Sequence, residues 1–234
     1  MISKTDAREA VSASYPPGIH VPSLTWFKDN ARQDIDWETQ KKHIEFVING
    51  GVHGSKHDLS LTVPLYQLTV HPVVIAGTNG EAATLGRTEK AELVQSTRAI
   101  ASQLSTSEFP ITVGCVGGCT REVIDDTVAM HEAGANFALV LIPSYFHFAM
   151  TQDAIVGFFQ EVADASPLPI VIYNFPAVVA GLDVNSEMLE ILGAHPNIVA
   201  VKLTCGGIAK VARVAATFAP TEFCALAGQS DCRD

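Results

Sequence analysis

Ile170-Val171-Ile172-Tyr173, the segment Ser186 to Gly193, and then Ile198-Val199-Ala200-Val201-Lys202 form the stretch that decides the fold. The two flanking runs are near-continuously apolar, as strands covered on both faces are. The segment between them has apolar positions at three- and four-residue spacing, the mark of an amphipathic helix. Strand, helix, strand in that order predicts two parallel neighbours with the helix packed outside the sheet.

The same alternation recurs along the chain. Strand-like runs occupy residues 18–24, 73–76, 111–115, 137–142, 170–173, 198–202 and 222–226. Helix-like segments occupy 88–103, 120–133, 152–165, 186–193 and 208–218; in the second, Val123, Thr127, Val128 and Met130 with His131 follow the helical period. Thr88 before Glu89-Lys90 and Thr151 before Asp153 read as helix caps. Seven such strands fit an α/β fold of the (β/α)8 barrel type better than a doubly wound sheet. No Gly-x-Gly-x-x-Gly follows the first strand, so a dinucleotide fold lacks its main support.

The 234 residues, 47% apolar and 17% charged, are expected to form one domain around one core. A formal charge of -10, with the basic residues scattered, excludes nucleic acid and anionic membrane as partners. Small molecules and further copies of the chain remain. Residues 1–14 lack the apolar run of a secretory signal, and no stretch approaches the roughly 20 apolar residues of a membrane span. The five cysteines are odd in number and scattered, which predicts reduced thiols in the cytoplasm. Cys115 and Cys119 have no second ligand pair, and the eight histidines show no i, i+4 pairing in a helix pattern. No metal and no other cofactor is expected.

Two stretches break the pattern. Gly51-Val52-His53-Gly54 starts like a strand that resumes only at Val73, and residues 55–72 intervene without helical period or turn chemistry. They read as an insert in the second strand. Their codons can carry a donor-like GTAAG at Ser55-Lys56 and a branch-point-like CTGAC at Leu68-Thr69, as in a retained short intron. The sequence also stops at Asp234, after the seventh strand, where an eight-fold barrel of about 250 residues would continue. The expectation is a barrel truncated after its seventh strand.

Reactive groups in such a barrel sit where strands end. The second strand ends in Gly77-Thr78-Asn79-Gly80-Glu81, a tight turn whose backbone N–H groups suit a carboxylate, or an ordinary βα turn. The fifth ends in Tyr173-Asn174-Phe175-Pro176; the Tyr173 phenol could serve as general acid and base, or be a core aromatic. The sixth ends at Lys202. An amine closing an apolar strand is costly to bury as a cation, so its pKa should fall, and a neutral amine attacks ketones. A lysine snorkelling to solvent is the competing reading; no carboxylate stands within ten residues of Lys202 to pair with it there.

With these three motifs together, the sequence resembles the dihydrodipicolinate synthase and N-acetylneuraminate lyase superfamily. Asp36 before the first helix, Gly134-Ala135 before the fourth strand and Pro196-Asn197-Ile198 before the sixth agree in order and spacing. The likeness runs from about Gly18 to Ser230, apart from residues 55–72. It implies a class I lyase with Lys202 as Schiff-base lysine and Tyr173 as proton donor and acceptor. Thr78 would relay protons, and Gly77, Thr78 and Asn79 would hold a pyruvyl carboxylate. Tyr145 matches a tyrosine that members lend to a neighbouring subunit, and members are commonly homodimers or homotetramers.

Departures narrow the branch. The synthases have a second threonine where this chain has Asn79, and an arginine after the tyrosine motif where Ala177-Val178-Val179-Ala180-Gly181 supplies none. Loss of that charge-assisted contact would cost about 1.5–3 kcal/mol in binding a second carboxylate substrate. Asn79 and the run from Val201 to Gly206 resemble the aldolases of 2-keto-3-deoxy sugar acids first and of 4-hydroxy-2-oxoglutarate second. The other readings are a dihydrodipicolinate synthase and an inactive, incomplete barrel.

Overall fold

The structure, a computed structural model, describes residues 14–16, 18–50, 72–104 and 109–229. Residues 51–71, which contain the first half of the expected split strand and nearly all of the expected insert, lie outside it, as do Ser230, Cys232 and Asp234. Strands and helices alternate: β1 (Val21–Pro22), α1 (Trp37–Gly50), β2 (Val73–Ile75), α2 (Arg87–Gln103), β3 (Ile111–Cys115), α3 (Thr120–Glu132), β4 (Phe137–Val140), α4 (Gln152–Ala165), β5 (Ile170–Asn174), α5 (Ser186–Gly193), β6 (Ile198–Leu203), α6 (Ile208–Thr217) and β7 (Cys224–Ala227). The described residues divide into two compact units. One draws on Gly18–Gly114 and Ala129–Asn136, the other on Met1–Pro17, Cys115–Val128 and Phe137–Asp234.

In the first unit β1, β2 and β3 are parallel, with Val21 opposite Val73 and Val73 opposite Ile111. The first strand is shorter than expected, although Val21 and Ser23 N–H still donate to β2 at Pro72 O and Val74 O, 3.1 and 2.9 Å. β2 ends at Ile75 rather than Ala76, since Ala76 turns left-handed at φ 49°. Its carbonyl then lies against β3 at Gly114, so close that a Cβ at Gly114 would overlap it. A glycine inside an apolar strand is the sequence signal for such an approach. Asp36 caps α1: its carboxylate accepts from the Thr39 hydroxyl at 2.7 Å and the Thr39 N–H at 3.3 Å. The hydroxyl bond, first, and the amide bond hold the Asp36 carboxyl below its ordinary pKa. The helix is tied to the end of β1 by the buried Gln40, which accepts from Trp26 N–H at 2.9 Å and donates to Leu24 O at 3.2 Å.

Two helix expectations need correction. α2 starts at Arg87, with Gly86 as cap rather than Thr88, because the Glu89 carboxylate reaches back to the Gly86 N–H at 2.8 Å. On α3 the buried positions are Val123, Asp126, Thr127 and Met130, whereas Val128 is 39% exposed. The helical period places residue 128 about 100° from residue 127, away from the packed face.

In the second unit β4, β5, β6 and β7 are parallel, with Ala138 opposite Ile170, Ile172 opposite Val201, and Val201 opposite Ala225. The cap expected at Thr151 is present, its hydroxyl accepting the Ala154 N–H at 3.2 Å. α4 buries Ile155, Phe158, Phe159, Val162 and Ala163, an i, i+3, i+4, i+7, i+8 stripe. Asn197, just before β6, donates its amide to the carbonyls of Ala163 and Ser166 at 2.8 and 3.1 Å, which holds the end of α4 to the start of the strand. Among the described residues no helix is long and apolar enough to cross a membrane.

Candidate active site

β5 and β6 are buried along their length except at Lys202. Tyr173 stands opposite Lys202 in the register, so the two side chains leave the sheet on the same side. The Lys202 Nζ lies over the Tyr173 ring, 4.3 Å from its centroid. The ring is 4% exposed and is tilted 39° against Phe175, at 5.7 Å between centroids. Each strand runs one residue beyond the expected end, so Asn174 closes β5 and Leu203 closes β6. Among the described residues no carboxylate forms an ion pair with Lys202.

The turn after β2 belongs to the other unit. Thr78 and Asn79 are exposed, and Gly77 and Gly80 are buried. Only part of its backbone matches the expected carboxylate cradle, since two amides are used internally: Glu81 N–H donates to Thr78 O at 3.0 Å and Ala82 N–H to Gly77 O at 3.1 Å. Gly80 is a steric requirement, because a Cβ there would lie 2.9 Å from the Ser23 carbonyl oxygen. The Thr25 hydroxyl donates to the Gly80 carbonyl at 2.7 Å and fixes the turn against the end of β1.

Tyr145 follows β4 and is 80% exposed, stacked edge-on to Phe146 at 4.9 Å. Phe146 contacts Phe148 in turn, at 6.2 Å. The structure thus brings Lys202 and Tyr173 together and leaves Tyr145 in solvent.

Asn174, Asp183 and Lys210 form a network that sequence spacing did not reveal. Fully buried Asn174 donates to Asp183 Oδ1 at 2.8 Å and accepts the Val184 N–H at 3.0 Å. Lys210, on α6, donates to both Asp183 oxygens at 2.7 and 2.8 Å and to the Val184 carbonyl at 2.8 Å. Asp183 and Lys210 are 27 residues apart, beyond any local pattern; the available hint was a polar Asn174 at the end of an apolar run.

The described cysteines 115, 119, 205 and 224 are free thiols, and burial pushes the Cys224 thiol above its ordinary pKa. No group of three or more His, Cys, Asp or Glu among the described residues is arranged to hold a metal ion.

Parallel strands joined by outer helices, with Lys202 set on the Tyr173 ring at adjoining strand ends, define the class as a (β/α) protein. The chain belongs to the dihydrodipicolinate synthetase family, whose model matches residues 65–234. It is 35% identical over 215 residues to an Emericella nidulans protein named "Probable 4-hydroxy-2-oxoglutarate aldolase, mitochondrial", covering 92% of this chain and 63% of that one. It is 36% identical over 211 residues to the L-threo-3-deoxy-hexylosonate aldolase of Hypocrea jecorina, covering 90% and 61%. A crystal structure of a dihydrodipicolinate synthase family protein from Coccidioides immitis superposes with a TM-score of 0.75 at 36% identity, over 92% of this chain and 61% of that one. The seven parallel strands and their helices are therefore part of the family's (β/α)-barrel fold, and the chain spans less than two thirds of its relatives' length.

Proposed function

We propose that this chain carries class I aldolase chemistry on a 2-keto acid, with the Lys202 amine as nucleophile and the Tyr173 phenol as acid and base. The observation that supports it is the Lys202 Nζ held over the Tyr173 ring between two in-register strands. The amine adds to the C2 carbonyl, the Tyr173 phenol gives its proton to the departing hydroxyl, and water leaves, so that an iminium and a Tyr173 phenolate remain. The C3–C4 bond then breaks, its electron pair entering the iminium to form an enamine. The C4 hydroxyl proton passes to the Tyr173 oxygen and the aldehyde departs. The Tyr173 phenol then protonates C3, and water adds to the resulting iminium; its surplus proton returns to the Tyr173 phenolate as pyruvate leaves and the amine is restored. The iminium is the electron sink, so turnover should be unaffected by a chelator.

The substrate proposed first is a 2-keto-3-deoxy sugar acid, split to pyruvate and an aldehyde; 4-hydroxy-2-oxoglutarate, giving pyruvate and glyoxylate, is second. Both readings draw on the names of the aldolase relatives and on Asn79 and the Val201–Gly206 run. Dihydrodipicolinate synthesis is disfavoured by the lack of a cation at residues 177–181. The roles of Thr78 as proton relay, of Gly77, Thr78 and Asn79 as carboxylate site, and of Tyr145 at a neighbouring subunit rest on the family resemblance. So does a homodimeric or homotetrameric assembly. The compartment proposed is a reducing one, on the free thiols; cytoplasm fits, and the word "mitochondrial" belongs to the Emericella nidulans relative's name.

Borohydride trapping with a panel of 2-keto acids tests the proposal. The expected result is a single pyruvyl adduct, on Lys202. Labelling elsewhere with Lys202 clean refutes the assignment, and no adduct at all supports the inactive-barrel reading.

A further inference from the structure

We propose that Lys210 and Asp183, acting through Asn174, form a clamp that positions Tyr173 against Lys202. The clamp joins three pieces of chain. Asn174 follows Tyr173 directly, and its carbonyl accepts the Thr204 N–H at 2.9 Å, so the ends of β5 and β6 are tied just beyond the two reactive residues. The Asn174 side chain then holds the returning segment at Asp183 and Val184, at 2.8 and 3.0 Å. Lys210 closes the arrangement from α6, the helix that follows β6. Its ammonium has three N–H donors and three acceptors at 2.7–2.8 Å, so none of its hydrogen-bonding capacity remains for a substrate. The Lys210 side chain is 14% exposed and that of Asp183 44%, which makes Lys210 the enclosed member.

The chemistry of Lys202 and Tyr173 requires the phenol oxygen to reach a hydroxyl on the carbon chain that Lys202 holds. A displacement of about 1 Å in such a pair can cost about 10²-fold in rate. Without the Lys210 cation, Asp183 keeps the single bond from Asn174, and the segment behind Tyr173 loses its three short bonds to α6, keeping the longer one from Arg213 to the Ser186 hydroxyl at 3.4 Å. Lys210 and Asp183 are positioning residues; neither is assigned a contact with substrate.

The turnover arm of the test rests on the aldolase reading, so a second arm is independent of it. Lys210→Met is compared with Lys210→Arg, which keeps the charge, and with Asp183→Asn, which keeps the shape should the methionine variant fold poorly. Active sites are counted by borohydride trapping of pyruvate, and turnover is expressed per trapped site. Amide exchange is followed at Val184 and Thr204, with Ile172 as the strand reference. The expected result is trapping retained at Lys202 and turnover per site about 10²-fold lower in Lys210→Met. Asp183→Asn should fall in the same direction, and Lys210→Arg should recover most of the loss. Val184 and Thr204 amides should exchange faster than in the parent while Ile172 does not. Parent-level turnover per trapped site refutes the clamp. So does a uniform rise in exchange, which is the signature of general destabilisation. If the parent traps no pyruvate, the aldolase reading fails and the exchange arm alone decides the clamp.

Discussion

Tyr173→Phe separates the chemical role of this residue from its packing role. Tyr173 is 4% exposed, and its ring meets the Lys202 Nζ at 4.3 Å and the Phe175 ring at 5.7 Å. Both are made by the ring and survive removal of the oxygen. The stability cost is then that of one hydroxyl interaction, about 1 kcal/mol, or roughly 2–4 °C in Tm for a chain of this size. Proton transfer is a different order of loss. A positioned acid and base is worth about 10²–10⁴-fold, which at 1.36 kcal/mol per tenfold is about 3–5 kcal/mol of barrier. The assay counts active sites by borohydride trapping, then measures pyruvate release per site from a 2-keto-3-deoxy sugar acid. Trapping should survive in part, while release per trapped site falls at least about 10²-fold. Tyr173→Leu, which also removes the ring beneath Nζ, should trap less efficiently as well. If Tyr173→Phe releases pyruvate at the parent rate, the residue is a core aromatic and the phenol has no part in the reaction.

Two further outcomes follow from single contacts and a third from the sequence. Gly114→Ala places a methyl on the Ala76 carbonyl; the resulting overpacking should cost about 1–3 kcal/mol and lower the melting temperature by several degrees, and an unchanged Tm would contradict the packing described. His43 Nε2 accepts the Leu24 N–H at 3.3 Å, and burial holds the imidazole below its ordinary pKa. Its folded-state pKa is thus below the unfolded one, so stability is complete above about pH 6.5 and falls as pH drops below that value toward the folded pKa. His43→Gln keeps an acceptor without titrating, and its Tm between pH 7.5 and 5 should fall less than the parent's; parallel curves would remove His43 as the cause. The mature transcript should lack the codons for residues 55–72, and an active 234-residue product translated from a transcript that contains them would show the insert to be part of the protein.

The fold was legible because buried parallel strands and one-sided helices write different periods into the chain. All seven runs contain strands, and α4 occupies the expected residues 152–165, with one buried stripe. Errors gathered where backbone geometry overrides composition. Ala76 leaves the strand through a left-handed turn that no alanine advertises, and Glu81 does the same at φ 56°. The α2 start was misplaced because Gly86 carries no side chain to announce a cap; the signal was Glu89 reaching back. Asp126 was passed over on α3 because a carboxylate on a buried stripe contradicts the apolar pattern by which the stripe is recognised. At the candidate site, Tyr173 and Lys202 could be read from strand ends, whereas the Asn174–Asp183–Lys210 network joins segments that only the folded chain brings together.

The two lysines that follow β5 show why residue type alone was insufficient. Lys202 and Lys210 lie eight residues apart; the sequence singles out Lys202 by its place at a strand end and says nothing of what Lys210 does. The structure gives them opposite partners. Lys210 makes three short hydrogen bonds, two of them to a carboxylate. Bonds to charged groups contribute about 1.5–3 kcal/mol each, all of which would be lost on moving toward a substrate. Lys202 has an aromatic face beneath it, a contact worth about 0.5–2 kcal/mol, and among the described residues no carboxylate holds it. Moving Lys202 onto a carbonyl carbon therefore sacrifices little, and moving Lys210 would also release Asp183. That asymmetry supports Lys202 as the amine that reacts and Lys210 as the one that holds the neighbouring chain in place.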